Sequence, residues 1–431
     1  MTDAPTARAA DPTPGSSGAI AAELLSFRPA DPDAEGKRRL AAAVVEAADE
    51  IIGLSHRIHA NPETAFGEVQ ASGWIAETLA RHGFQVEHPA GSLATAIRAR
   101  KAGGRGEGPR IGILAEYDAL PGLGHGCGHN TMAASGVGAA IALAAISDDL
   151  RGEIVFLGTP AEERGSGKQI MIDDGLFAGL DAALLYHPCD RNHVQSFPLA
   201  SEDVEVVFHG LQAHASSDPW RGKNALDAMI LLFASVGLWR QQLTPDARVH
   251  GIIQEGGMAP NIIPDRTRAW FMLRSADQER YAAMATRFHA LVDAAALATD
   301  TSAEVTFSGG AMTMKPNATL EARWIANAVA YGIDDEGPDP NSGSTDMGNV
   351  SWVCPTIHPD LSIAAAGTPG HSTDFRDAAA TPVADRTTLL AAILVGQTAL
   401  ELFADPELVA AAWRDFRAGG DPKSSGSSRP A

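Results

Sequence analysis

The stretch Ile111–Thr131 reads IGILAEYDALPGLGHGCGHNT, and its interpretation decides the fold. It opens as a short apolar run, the signature of a buried strand. Pro121-Gly122 and Gly124 then break the pattern into a loop. Around that loop the chain places Glu116, Asp118, His125, Cys127 and His129. Behind it, Met132–Ala145 is small and apolar and is expected to be a helix. Polar groups at the end of a strand, just ahead of a helix, occupy the usual ligand-binding edge of an open α/β sheet. A Cys-x-His pair beside two carboxylates suits a divalent metal better than a plain turn.

The neighbouring segments repeat this arrangement. GEIVFLGTPAEE is an apolar strand closing on Glu162 and Glu163, and DAALLYHPC is a strand that ends at His187. GKQIMIDDGLF between them reads as helix, as do LAAAVVEAADEIIGLSHRIHANPE and ASGWIAETLARHG upstream. Short strands are expected at Phe84–Glu87 and Ala94–Arg98, and a long apolar helix from Thr387 to Phe403. Strands alternating with helices predict an α/β fold, a mostly parallel sheet with helices on both faces. From Val204 to Ser308 the order becomes β-α-β-β-α-β, an inserted ferredoxin-like α+β unit in which Trp270–Leu273 reads as core. The expected organisation is therefore one domain from 36–203 and 309–415 and an inserted one from 204–308. A mobile extension at 1–35, around the apolar patch Ile20–Phe27, and a disordered tail at 416–431 flank them.

At 431 residues and 45% hydrophobic content, the chain can bury a sizeable core. Its net charge of −20 argues against nucleic acid or an anionic membrane surface as partner. An anionic substrate stays open, because a site can hold its own cations. Three sparse cysteines, Cys127, Cys189 and Cys354, make no disulfide framework and fit a reducing compartment. No apolar run reaches the eighteen or so residues of a membrane span, and the N-terminus lacks a signal-peptide layout. A cytoplasmic enzyme is the expectation.

The polar residues at expected strand ends are Asp118, Cys127, His129, Glu162, Glu163, His187 and His371. Imidazole, thiolate and carboxylate are zinc ligands, and two-metal hydrolytic sites place their ions about 3.5–4 Å apart. Five ligands with two carboxylates left over fit such a centre. One carboxylate would serve as general base and the other would orient a ligand.

DALPGLGHGCGHN, followed by PAEE, YHP and GHSTDF, resembles the amidohydrolase branch of the di-metal aminoacylase and carboxypeptidase family. Within it, the chain is most similar to the p-aminobenzoyl-glutamate hydrolase-like and β-alanyl-lysine dipeptidase-like group, over roughly residues 36–415. The resemblance implies two divalent ions per subunit, zinc foremost, with manganese or cobalt as alternatives. It implies that Cys127 bridges or nearly bridges them, and that His129, Glu163, His187 and His371 complete the metal shell. Glu162 would be the base and Asp118 would orient an imidazole. Glu116 stands where other branches have a metal-binding histidine and is not counted as a ligand. His125 is left as structural or as a supporting neighbour of the centre. HGLQAHASSDPWRGKNALDA resembles the segment whose histidine, here His214, reaches the partner subunit's site and stabilises the oxyanion. MAPNIIPDRTRAWFMLR resembles the segment whose Asn261 and Arg274 hold a substrate carboxylate.

The function so implied is metal-dependent cleavage of the amide bond in a small N-acyl or N-aroyl amino acid or dipeptide. The enzyme would be a homodimer through the inserted domain. The same centre could instead remove an amino group hydrolytically from an activated arylamine. A third reading is a non-catalytic metal-binding protein on this fold.

Overall fold

The computed structural model describes residues 16–26, 34–339 and 343–418. Twelve strands occur among them: β1 (Gln85–Glu87), β2 (Ile97–Ala102), β3 (Arg110–Glu116), β4 (Glu153–Thr159), β5 (Ala182–Leu184), β6 (His187–Cys189), β7 (Ala200–His209), β8 (Ala247–Glu255), β9 (Arg266–Ser275), β10 (Ser302–Ala311), β11 (Thr356–Ile357) and β12 (Asp360–Ser362). They fall into two compact units. One takes the chain up to Ser196, a segment opening at Lys315 and the stretch from Val350; the other takes Phe197–Met314 and a short return ending at Asn349.

The larger unit is built on a six-stranded sheet of order β1-β2-β4-β3-β5-β11. β4, β3, β5 and β11 run parallel, while β1 and β2 are added antiparallel at one edge. The chain steps from β3 to β4 on one side and then to β5 on the other. Such a reversal opens a crevice at the carboxyl ends of the strands. All four parallel strands end on that edge, which is why residues far apart in sequence can meet there. β3 and β4 belong to the parallel part of the sheet, where strands are buried on both faces, so they read as continuous apolar runs and are buried almost throughout.

Helix His129–Ala145 packs between β3 and helix Pro382–Ala404, and nearly every residue of both helices is buried. Apolar residues all round a helix mark it as a core helix. Pro382–Ala404 also has the length and composition of a membrane span, which corrects the expectation that no segment does; it lies inside the larger unit. The single helix expected from Leu40 to the stop at Asn61-Pro62 is two, Ala34–Glu46 and Ala48–Ala60, which meet at Ala47.

The ends of the chain differ from the sequence reading. Within the expected N-terminal extension, Ser16–Ser26 is a helix whose Ile20 and Leu24, one turn apart, are buried. Residues 1–15 and 27–33 of that expectation lie outside the described residues. At the other end, Pro406–Ala418 is a helix, so the first residues of the expected tail are ordered; residues 419–431 lie outside the described residues.

The smaller unit has the β-α-β-β-α-β order, with helices Ala225–Arg240 and Gln278–Ala298 and an antiparallel sheet of order β10-β7-β9-β8. It reaches beyond 204–308 because β7 pairs with β9 from Ala200 and with β10 as far as Ala311. Side chains alternate across a strand, so Phe271 and Leu273 enter its core while Trp270 points outward at 38% exposure. The expectation of core for the whole Trp270–Leu273 segment is corrected by that alternation.

Close packing of helix His129–Ala145 makes a test. A Cβ on Gly136 would stand 2.7 Å from the Leu114 carbonyl oxygen, whereas one on Gly73 would meet nothing within 4 Å. Gly136→Val should cost about 1–3 kcal/mol by overpacking, and Gly73→Ala should be neutral or gain about 0.4–1 kcal/mol. Urea unfolding of both variants measures this; equal midpoints would contradict the packing described.

Candidate metal centre

The loop after β3 and the start of the helix behind it hold the first donors. Gly128 adopts φ 77 between Cys127 and His129, and a Cβ there would meet Pro188 Cγ at 2.8 Å. Only glycine serves both the left-handed backbone and the close approach. This turn aims the Cys127 thiol and the His129 ring to the same side. After β4, Ala161 also takes a left-handed conformation, φ 62, immediately ahead of Glu162 and Glu163. His187 follows β5, and His371 precedes the helix Thr373–Ala378 with its own φ of 55 and its N–H bonded to the Gly126 carbonyl at 2.9 Å. Non-glycine residues held in this region concentrate at functional sites.

Three groups of donor atoms result, each with all atoms within 4.8 Å of one another: Cys127, His129 and His187; Cys127, Glu163 and His371; Glu116, His129 and Glu162. Cys127 belongs to the first two. Its Sγ lies 3.5 Å from His187 Nε2, and His371 Nε2 lies 3.5 Å from Glu163 Oε1. Asp118 joins the groups without entering them. One of its oxygens accepts from His129 Nδ1 at 2.9 Å and the other from the Glu163 N–H at 2.9 Å. That bond leaves His129 Nε2 as the free lone pair.

Burial dominates the electrostatics of these donors. Burial pushes the Cys127 thiol well up and raises the Glu163 carboxyl, and burial holds His187 down to about 3, a neutral imidazole. Burial, the largest influence, opposes ionisation of Glu116, but the Lys168 ammonium, 2.6 Å from Oε1, together with His129, His358 and His187, outweighs it and holds the carboxyl low. Among the described residues, Glu116 Oε2, His129 Nε2 and Glu163 Oε1 are buried with no hydrogen-bond partner. His129 Nε2 stands 3.3 Å from Glu116 Oε2 without completing a bond. Buried polar atoms are normally satisfied. Soft, borderline and hard donors turned together with their lone pairs unused fit divalent cations.

Glu116, uncounted at the sequence level, therefore stands in a donor group. His125 stands in none; its ring stacks on His59 with centroids 6.1 Å apart. Two neighbours escaped the sequence reading. Lys168 is fully buried, and His358, also buried, packs its ring 5.3 Å from that of His187. His358 follows β11 as His187 follows β5, so the strand-end rule applies to it; the two-residue strand gave no periodic signal. Nothing in the local pattern marks Lys168.

In the smaller unit, His214 is exposed and its turn pairs with that of Asn261: His214 bridges Ile262, and the Ala215 N–H bonds the Asn261 carbonyl at 3.1 Å. His214 Nδ1 faces the N–H groups of Ser216 and Ser217, both at 3.3 Å. As acceptor there, Nδ1 leaves the proton on Nε2. Arg274 lies near the far end of β9, where its Nε contacts Met272 Sδ at 3.0 Å. Arg266 to Arg274 alone spans about 27 Å of strand. Within one subunit, Asn261 and Arg274 are not brought together on one carboxylate.

Residues 112–394 match the profile of Peptidase family M20/M25/M40. The chain is 36% identical to the Xaa-Arg dipeptidase of Mus musculus over 94% of this chain and 95% of that protein. It is 28% identical to a subunit of the p-aminobenzoyl-glutamate hydrolase of Escherichia coli (strain K12), over 83% of this chain and 89% of that one. The fold of the Bacillus subtilis YXEP protein, a dinuclear metal binding peptidase from M20 family, matches with a TM-score of 0.60 at 20% identity, covering 81% of this chain and 99% of that one. The profile spans most of the chain and the mouse relative nearly all of it: this chain belongs to Peptidase family M20/M25/M40 and is a metal-dependent hydrolase.

Proposed function

We propose that the enzyme hydrolyses the amide bond of a dipeptide, or of a small N-acyl or N-aroyl amino acid, whose product end carries a free carboxylate. The observation that carries this reading is the sharing of Cys127 between two donor groups, with Glu162 in a third that shares His129. Cys127, His129, Glu163, His187 and His371 would hold two divalent ions, zinc first by its affinity for thiolate and imidazole, manganese or cobalt otherwise. Bound there, the ions would polarise the scissile carbonyl and lower the pKa of water toward neutrality.

Glu162 takes a proton from the attacking water and delivers it to the leaving amine. Asp118 keeps His129 in the tautomer that offers Nε2. His214, with its proton on the exposed Nε2, donates to the oxyanion from the neighbouring subunit. A homodimer through the smaller unit is supported by β8, an edge strand whose Ile252 and Ile253 are exposed, and by exposed Ile230, Leu231 and Leu238 on helix Ala225–Arg240. Edges and apolar patches of this kind are ready-made pairing surfaces. Arg274, with its planar fork, binds the substrate carboxylate, and Asn261 accompanies His214. The mouse relative's name favours a dipeptide with a cationic C-terminal side chain. The cytoplasm is the proposed location, in keeping with three free cysteines. A hydrolysis screen of dipeptides, acyl amino acids and arylamines, with zinc, manganese or cobalt added, tests the substrate class. Turnover of arylamines alone would overturn it.

Glu162→Gln keeps the shape but cannot accept the proton, so activity should fall by at least about 10⁴-fold with the metal content unchanged. Near wild-type turnover would remove Glu162 as base. Treatment with EDTA should inactivate the enzyme, and Cys127→Ser should lower metal content more than Cys189→Ser or Cys354→Ser, because a hydroxyl replaces the soft donor. Equal metal content in all three variants would place Cys127 outside the metal shell. His214→Ala should lower kcat by about 10²–10³ and spare the metal. Mixing inactive His214→Ala with inactive Glu162→Gln protein should restore activity, up to half the wild-type rate per mixed dimer. Subunit exchange without recovered activity would show that His214 does not act across the interface.

A further inference from the structure

Glu68 is fully buried in the larger unit, immediately ahead of helix Val69–Arg81. A buried carboxylate is expensive unless its oxygens are occupied, and here three donors occupy them. Oε1 accepts the N–H of Phe66 and the N–H of Ala161, both at 3.0 Å, and Oε2 accepts the Thr95 hydroxyl at 2.9 Å. Thr95 is itself anchored, its carbonyl accepting the Tyr117 hydroxyl at 2.6 Å beside Asp118.

Both backbone N–H groups on Oε1 belong to residues in the left-handed region, Phe66 and Ala161, each with φ 62. L side chains rarely adopt that conformation, and it persists only where surrounding bonds impose it. Ala161 directly precedes Glu162 and Glu163. The same turn continues through Gly165, φ 125, against which the Phe66 ring lies so closely that a Cβ there would stand 2.4 Å from it. One oxygen thus pins both walls of the loop that carries the base and a donor of the second group. The Asp118 bond to the Glu163 N–H and the Gly167 N–H bond to the Ala161 carbonyl, at 3.4 Å, also hold this turn, but neither engages the Ala161 N–H.

We propose that Glu68 is a positioning residue: through the Ala161 N–H it holds the left-handed turn that aims Glu162 and Glu163 into the centre. This rests on the roles proposed above for those two glutamates. Burial lifts the Glu68 carboxyl to about 7, but the role requires an acceptor oxygen and not a charge. An amide oxygen can take both N–H groups, so Gln can stand in for Glu.

The test compares Glu68→Ala, Glu68→Gln and the double variant Glu68→Ala with Ala161→Gly in the full chain, each first shown to fold by its Tm. Three quantities are measured: kcat and KM on a substrate found in the screen, bound metal, and hydrogen exchange of the peptide spanning residues 160–166. Glu68→Ala should lower kcat by about 10²-fold, the scale of a small misplacement of reacting groups, with KM within about threefold. Exchange over 160–166 should speed up by at least about tenfold as the turn opens. Glu68→Gln should restore both. Glycine at 161 takes a positive φ without strain, so the double variant should regain at least about tenfold in kcat over Glu68→Ala. Unchanged exchange in Glu68→Ala, a Gln variant as impaired as Ala, or no recovery in the double variant would each overturn the inference. If the wild-type protein hydrolyses nothing in the screen while exchange follows the expected pattern, the proposed reaction fails and the positioning role stands.

Discussion

Asp118 is the interaction on which the rest of the centre depends. It is buried, and its two oxygens face two different pieces of chain: the His129 ring at the start of one helix and the Glu163 N–H in the loop after β4. β3 and β4 are adjacent and parallel, so their ends are already neighbours. Adjacency alone leaves each loop free to choose its direction. The Asp118 carboxylate removes that freedom by making the orientation of an imidazole and the path of a glutamate parts of one hydrogen-bond set. Bonds to a charged acceptor are roughly twice as strong as neutral ones, and losing either partner would leave a desolvated oxygen behind.

The backbone around this carboxylate is held away from its relaxed conformations. Ala161 and His371 take left-handed φ values without being glycine, while Gly128 relieves the one place where a side chain would strike Pro188. Strain of this kind has to be balanced by well-made structure elsewhere. The buried helices His129–Ala145 and Pro382–Ala404 supply it through close packing of small residues. Small side chains in the sequence behind the metal-competent loop are thus part of the site's construction. They let a helix approach β3 closely enough that its first residue, His129, reaches Asp118.

How much of this is legible in the sequence follows from the range of each interaction. Strand-end placement located Asp118, Glu162, Glu163 and His187, because an apolar run followed by a polar residue is a local pattern. The β-α-β-β-α-β unit was readable for the same reason, although its limits were not: pairing from Ala200 to Ala311 depends on partners rather than on composition. Glu68 was invisible because its partner Ala161 lies 93 residues away. Lys168 sits in a short helix with no periodicity that distinguishes a buried ammonium from an exposed one. His358 follows a strand of two residues, too short to alternate. The separation of Asn261, in the turn ahead of β9, from Arg274, near the far end of that strand, was also out of reach until the extent of the strand was known.

Charge explains why Lys168 belongs where it is. Glu116, Asp118, Glu162 and Glu163 crowd one crevice with the Cys127 thiol, and desolvation makes every uncompensated anion there costly. Were divalent ions to hold the Cys127 thiol and the Glu163 carboxyl ionised, against the direction in which burial pushes them, four carboxylates and a thiolate set against the Lys168 ammonium would leave four negative charges, which two dications would match. Were Glu116 present without Lys168, the same two ions would leave an excess negative charge in a low-dielectric site. Paired at 2.6 Å, Glu116 and Lys168 carry no net charge while still turning an unused oxygen toward His129. The pair therefore has the charge of a neutral imidazole. A carboxylate can be buried here without adding net charge only where a cation is buried with it, and the short helix Gly167–Asp173, which follows the Glu162–Glu163 loop, places that cation there.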